Sequence, residues 1–388
     1  MRVKLNENFS KLSENYLFSE IARRIDRVKN EGGERIISLG IGDVTLPLAK
    51  SVADAMARSV ENLKTREGFC GYGDTRGNIA LREALCKRYE KRGVLLSSDE
   101  IFINDGAKSD LGNMNDLFGE SETLIIAPAY PVYLDASVMS GRKIQLLEAN
   151  RENEFLPLPK SLSERPMIIY LCSPSNPTGA VLDRKTLACW VEFAQKSGSV
   201  IVFDAAYEAF IADSELPHSI FEIEGARECA IEVCSFSKMA GFTGVRCGWT
   251  VIAKENPLHK LWVRRQAAKF NGASCISQAG ALAVLDDCGA RECATNIAYY
   301  MENARLLADF LTKKGLYFTG GVHAPYLWVE CPQGESSWQF FDRLLHSAHL
   351  VCTPGAGFGR SGEGFVRLSS FGSREDIYEA LTRLDRVM

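Results

Sequence analysis

The chain has 388 residues, 46% of them hydrophobic and 24% charged, with a formal net charge of −4. Such a length suits two ordinary domains, and such a composition suits a soluble globular protein. The charge offers no polycationic surface for nucleic acid, and no apolar run approaches the roughly 18 residues of a membrane span.

Met1 to Asn8 lack the apolar stretch of a secretory signal. The 12 cysteines are scattered, with no C-x-x-C pair, and Cys172 and Cys234 sit in apolar runs. The expectation is reduced thiols in a cytoplasmic protein, with neither disulfides nor a zinc site. His346 and His349 have helical spacing but no carboxylate motif around them, so a solvated helix face is expected there and no metal.

In chain order, Phe18, Ile21, Ile25 and Val28 predict an amphipathic helix, ended by Gly32-Gly33. Ile36 to Leu39 reads as a strand running into Gly40-Ile41-Gly42-Asp43. Gly71-Tyr72-Gly73 is a turn before a helix through Leu81, Leu85 and Tyr89. From Ile101 a rhythm sets in. Strand-like runs span 123–127, 143–147, 167–172, 199–203 and 229–233, and helical segments such as 185–195 separate most of them. That pattern predicts an α/β fold: a mainly parallel sheet covered by helices on both faces. After Cys288 a long helix (295–314), short strands and a closing helix predict a smaller α+β domain. The expected division is an N-terminal arm and part of the small domain (1–44), a large domain (45–287) and the small C-terminal domain (288–388).

Open parallel sheets bind ligands beyond the carboxyl ends of their strands. At those ends stand Asn176, in Ser173 to Gly179; Asp204, with Tyr207 three residues on; and Ser235-Phe236-Ser237-Lys238, followed by Arg246. Singly, Asp204 reads as a helix N-cap, Asn176 as a turn residue and Lys238 as a surface lysine. Together they form the set that pyridoxal phosphate needs. Lys238 offers an amine that forms a Schiff base with a carbonyl and can then move a proton. Asp204 suits a pyridinium nitrogen, and Asn176 and Tyr207 suit the ring's phenolate oxygen. For the phosphate there are Ser235, Ser237, Arg246 and the glycine turn into a helix at Gly106-Ala107-Lys108. Tyr130 either stacks on the ring or is a turn aromatic packed on the core. Arg367 lies mid-strand and either pairs with a protein carboxylate or waits for a ligand's. Pro354 to Gly359 lacks a following Lys-Ser/Thr, so no nucleotide is expected there.

These residues resemble the fold-type I pyridoxal-phosphate aminotransferases of the aspartate aminotransferase superfamily. The carrying motifs are Gly71-Tyr72-Gly73, Ser173 to Gly179, Asp204 to Tyr207, Ser235 to Lys238, Arg246 and Arg367, in the family's order. A closer resemblance, to the LL-diaminopimelate aminotransferase family, is carried by Asn15 to Phe18, Asp105 to Lys108, Phe242 to Arg246, Phe270 to Ser274 and His323 to Trp328. The resemblance implies cofactor contacts from Tyr72, Ala107, Lys108, Tyr130, Asn176, Tyr207, Ser235, Ser237 and Arg246. It implies substrate contacts from Tyr16, Gly42, Lys108, Tyr130, Asn176, Asn271 and Arg367. It also implies a homodimer in which Tyr72 and Asn271 reach the neighbour's site, and amino transfer between LL-diaminopimelate and 2-oxoglutarate. Tetrahydrodipicolinate would be the other product, in lysine and peptidoglycan-precursor synthesis.

The chain departs from the pattern at Ala127, where the family often has aspartate, and at Thr75, where plant-like members carry a glutamate for the distal ammonium. Asp74 beside it either substitutes or caps the next helix. Rival readings are an aspartate or aromatic aminotransferase and a pyridoxal-phosphate lyase. A dinucleotide-binding or regulatory protein is disfavoured, for want of an early G-x-G-x-x-G and of a DNA-binding segment.

Overall fold

Alternation inside short apolar runs builds the main sheet. The structure, a computed structural model, describes residues 3–12, 17–32, 34–40, 42–332 and 334–388. Its strands are β1 (Ile37–Ser38), β2 (Ile101–Asn104), β3 (Glu122–Ala127), β4 (Ile144–Glu148), β5 (Met167–Cys172), β6 (Val200–Asp204), β7 (Ala230–Ser235), β8 (Gly248–Ile252), β9 (Phe318–Gly320), β10 (Tyr326–Glu330), β11 (Leu350–Val351), β12 (Thr353–Pro354) and β13 (Phe365–Ser369). Seven of them form one sheet in the order β2-β8-β7-β6-β5-β3-β4. Strands β7, β6, β5, β3 and β4 run parallel, and β8 is antiparallel to both its neighbours.

Successive residues of each strand enter different cores, as a period of two requires. Ile169, Leu171, Ile201 and Phe203 join Leu187 and Trp190 of the helix Arg184–Ser197 on one face. Ile168, Tyr170, Val202, Ile231 and Val233 join Leu111, Tyr133 and Trp262 on the other. Each such buried side chain contributes roughly 1.5–3 kcal/mol. The sheet is thereby held between two helical layers, and its strand ends become a fixed platform.

A second core gathers Leu17, Ile21 and Val28 of the helix Leu17–Glu31 with Leu327, Val329, Val366 and Leu368 of β10 and β13. Phe340, Leu344, Ile377 and Leu384, from the helices Ser337–Ala348 and Arg374–Val387, complete it. The helix Asp287–Lys313 serves both cores. Its Cys293 packs under the main sheet, while Ala304, Leu307 and Leu311 pack in the second core.

The expected strands form within a residue or two of their expected limits. Three expectations need correcting. Strand β8 was not foreseen. The long helix begins at Asp287, eight residues early, so the expected boundary at 287/288 falls on its first turn. The helix after the Gly71 turn, Ile79–Glu90, is capped by Asn78, whose Oδ1 accepts the Ala80 N–H at 2.8 Å; Asp74 does not cap it. Among the described residues no helix is long and apolar enough to cross a membrane.

Candidate active site

Beyond the ends of the parallel strands lies a cavity of about 480 Å³. Its walls include Gly42, Ala107, Lys108, Tyr130, Asn176, Asp204, Tyr207, Ser235, Ser237, Lys238, Arg246 and Arg367, each singled out from the sequence.

Lys238 is placed by the end of β7. Ser235 caps the turn Phe236–Met239, its Oγ accepting the Ser237 N–H at 3.0 Å. Phe236, fully buried against Trp249 with ring centroids 4.8 Å apart, anchors that turn in the core. The lysine amine donates to the Gly42 carbonyl. Burial lowers its pKa to about 8; Asp43 opposes the fall, and Arg367 and Arg246 add to it. On the order of a tenth of the amine is therefore neutral at pH 7.

Arg246 reaches in beside it, donating to Ser237 Oγ at 3.3 Å and to the Thr243 carbonyl at 3.2 Å. Gly106 takes φ +116°, and a Cβ there would fall 2.1 Å from Arg246 Nη2. Only glycine lets the guanidinium approach the turn before Ala107 this closely. The turn itself is pinned by Asn104, which accepts the Gly106 N–H at 2.9 Å and donates to Asp110 at 2.8 Å. Burial raises the Asp110 carboxyl to about 6.

Asp204 ends β6 and is fully buried. Its oxygens accept the Tyr133 O–H at 2.5 Å and the Ala206 N–H at 3.0 Å, and burial pushes its pKa up. Among the described residues no cation pairs with it. The Tyr207 and Tyr326 hydroxyls lie 2.7 Å apart. Tyr130 precedes the helix Pro131–Met139 and meets Tyr133 edge-on at 5.9 Å.

Arg367, on β13, is 2% exposed. It donates to Asn176 Oδ1 at 2.7 Å and to the Gly40 carbonyl at 3.2 Å, and its guanidinium lies 4.2 Å from the Tyr326 ring centre. Its Nε is buried with no acceptor, and among the described residues it has no carboxylate partner. A buried, unneutralised arginine facing a cavity is a receptor for an anion. Of the two sequence readings of Arg367, the geometry therefore keeps the ligand one.

Two sequence candidates lie elsewhere, and a third is not among the described residues. Tyr72 is 90% exposed and Asn271 is exposed, and neither lines this cavity; Tyr16 lies outside the described residues. Asp74 is turned to arginines: it accepts the Arg76 N–H at 2.8 Å and pairs with the buried Arg82 at 3.1 Å. Sequence reasoning gave no role to Asp43, Tyr133 or Tyr326. The spacing of Tyr130 and Tyr133, one turn of helix, was the available signal for the second.

The family described as aminotransferase class I and II matches residues 34–384. An LL-diaminopimelate aminotransferase of Bacteroides fragilis is 47% identical, over 98% of this chain and 98% of that protein. The solved L,L-diaminopimelate aminotransferase of Chlamydomonas reinhardtii superposes with a TM-score of 0.94 at 46% identity, covering 100% of this chain and 99% of that one. A solved aromatic aminotransferase of Pyrococcus horikoshii gives a TM-score of 0.83 at 27% identity, covering 95% and 98%.

Proposed function

Because this chain belongs to the class I and II aminotransferases, we propose that it transfers an amino group between LL-diaminopimelate and 2-oxoglutarate, giving tetrahydrodipicolinate and glutamate. It is a pyridoxal 5′-phosphate enzyme of lysine biosynthesis. The observation that carries the chemistry is the meeting, in one cavity, of a half-buried amine with lowered pKa and, among the described residues, a buried carboxylate without a cation and a buried arginine without an anion.

The donor set fits the cofactor. Arg246, Ser235, Ser237 and the backbone at Ala107 and Lys108 would hold its phosphate, and Tyr130 would stack on its ring. Asp204 would receive the ring nitrogen's N–H, and Asn176 and Tyr207 the phenolate side. When bound, pyridoxal phosphate supplies the carbonyl that takes the amino group and a ring that takes up the electrons freed at the substrate's α-carbon.

The protein does the rest. Arg367 and Asn176 orient the substrate's α-carboxylate. Lys238, in its neutral form, would take the substrate's α-proton and return it on the other side of the transfer. Both substrates are α-carboxylates, so one arginine serves both half-reactions, in ping-pong order. Gly42 and Lys108 contribute to the substrate's surroundings. In this proposal the protein works as a cytoplasmic homodimer, with Tyr72, Asn271 and Tyr16 completing the site and residues 45–287 forming the cofactor-binding domain.

The test is a panel of amino donors assayed with 2-oxoglutarate, reading glutamate. LL-diaminopimelate should exceed aspartate and aromatic donors by about 100-fold in kcat/KM, since unpaired distal charges penalise a mismatched pocket. A preference for aspartate or aromatic donors overturns the substrate and leaves the transaminase. Turnover without a keto acid would point to a lyase instead.

A further inference from the structure

We propose that Tyr133 is a positioning residue for the cofactor's ring, acting through Asp204 by fixing that carboxylate as a charged acceptor. The inference rests on the role of Asp204 given above.

Asp204 stands in a difficult place for a charge. It is fully buried and, among the described residues, has no lysine or arginine within ion-pair distance. Burial favours its neutral form. Two donors work against this: the Ala206 N–H on Oδ1 and the Tyr133 O–H on Oδ2. At 2.5 Å the second is in the range of a strong, charge-assisted bond.

Tyr133 is built to keep that bond. Its ring is 3% exposed and stacks on Tyr170, with centroids 5.0 Å apart and planes at 19°. Tyr130 meets it edge-on. Held on both sides, the ring sets its hydroxyl between Asp204 and the Cys172 thiol, and of the two the carboxylate is much the stronger acceptor. Burial and the neighbouring Asp204 charge raise its own pKa well above the ordinary value, so it stays a donor throughout the working pH range.

A carboxylate that accepts such a bond is a weaker base. Facing a protonated ring nitrogen, it leaves the shared proton on the nitrogen, where it makes the ring an electron acceptor. Without the bond the proton would shift toward Asp204. The same phenol buttresses Tyr130, so one residue would set both the charge partner and the stacking partner of the ring.

The experiment compares cofactor-free enzyme binding two ligands, read by fluorescence: pyridoxal phosphate and its analogue with carbon in place of the ring nitrogen. Tyr133→Phe keeps the ring and removes only the hydroxyl. It should weaken binding of pyridoxal phosphate about tenfold and leave the analogue unchanged. In the loaded enzyme kcat should fall while KM for LL-diaminopimelate stays within about twofold, and the ring-nitrogen ¹⁵N shift should move toward the unprotonated position. Tyr170→Phe, which removes the neighbouring buried hydroxyl, should match wild type on both ligands. If Tyr133→Phe weakens both ligands equally, or neither, the proposal is overturned. If wild type itself does not distinguish the two ligands, the Asp204 role fails, and the proposal with it.

Discussion

The surroundings of the cavity are built on two plans. Around Lys238, Asp204 and Arg367 the side chains issue from strands or from the turns at their ends, and Asp204 and Arg367 are held by bonds to Tyr133 and Asn176, which are themselves buried. Around the loop that carries Tyr72 the opposite holds. Phe69 is 70% exposed, Tyr72 is 90% exposed, and Asn271 is open to solvent. Lys238, Asp204 and Arg367 thus meet in one cavity of a single chain. Tyr72 and Asn271 stand outside that cavity, and in the homodimer proposed above they would complete the cavity of the second copy.

Substitutions should sort accordingly, and the largest effect should come from Lys238. Lys238→Ala should lower turnover about 10⁴-fold and still bind pyridoxal phosphate through the arginine and serine contacts. Normal turnover would break the assignment. In wild-type apoprotein, covalent capture of the cofactor needs the neutral amine. Its rate should therefore rise with pH through about 8, where stopped-flow absorbance would find the midpoint.

Asp204→Asn should cost about 10²–10³ in kcat while circular dichroism and melting stay close to wild type. Arg367→Lys should raise KM for LL-diaminopimelate and for 2-oxoglutarate alike, about 10- to 100-fold, because an ammonium cannot reproduce a planar fork. An effect on one substrate alone would separate two carboxylate sites where one is expected.

The exposed region calls for a different measurement. Co-expressed Lys238→Ala and Tyr72→Ala/Asn271→Ala chains should recover about a quarter of wild-type activity, since half the dimers would be hybrids with one intact site each. No recovery would return Tyr72 and Asn271 to their own chain. Smallest of all should be Asp74→Asn. Its carboxylate is already engaged by Arg82 and Arg76, so the loss should stay below about 1 kcal/mol of stability and fall equally on LL-diaminopimelate and glutamate as donors. Selective weakening of LL-diaminopimelate would show that Asp74 meets the distal ammonium after all.

The buried region was legible in the sequence because its residues sit at strand ends, where a change of pattern from apolar to polar is easy to see. Asn176, Asp204 and Lys238 each follow such a run. Strand β8 was hidden because it comes straight after the Arg246 turn, with only the four-residue helix Phe236–Met239 between it and β7, and so breaks the rhythm that revealed the others. Tyr133 and Tyr326 were missed for a different reason. Each lies inside an element, where an aromatic residue reads as core, and only a partner distant in sequence gives its hydroxyl a purpose. The pairing of Asp74 with Arg82 was equally invisible, since an arginine that is only 3% exposed cannot be told from a solvated one by its neighbours in the chain.

The helix Asp287–Lys313 has a consequence for how the molecule comes apart. At 27 residues it is a rod of roughly 40 Å, uninterrupted by proline, with one end fastened under the main sheet and the other in the second core. Loosening either core strips one half of the rod of its packing, and an unsupported half-helix is only marginally stable in water. The two cores should therefore melt as one cooperative unit, and the slowest-exchanging amides of this helix, near Tyr300 and Asn303, should report the free energy of global unfolding.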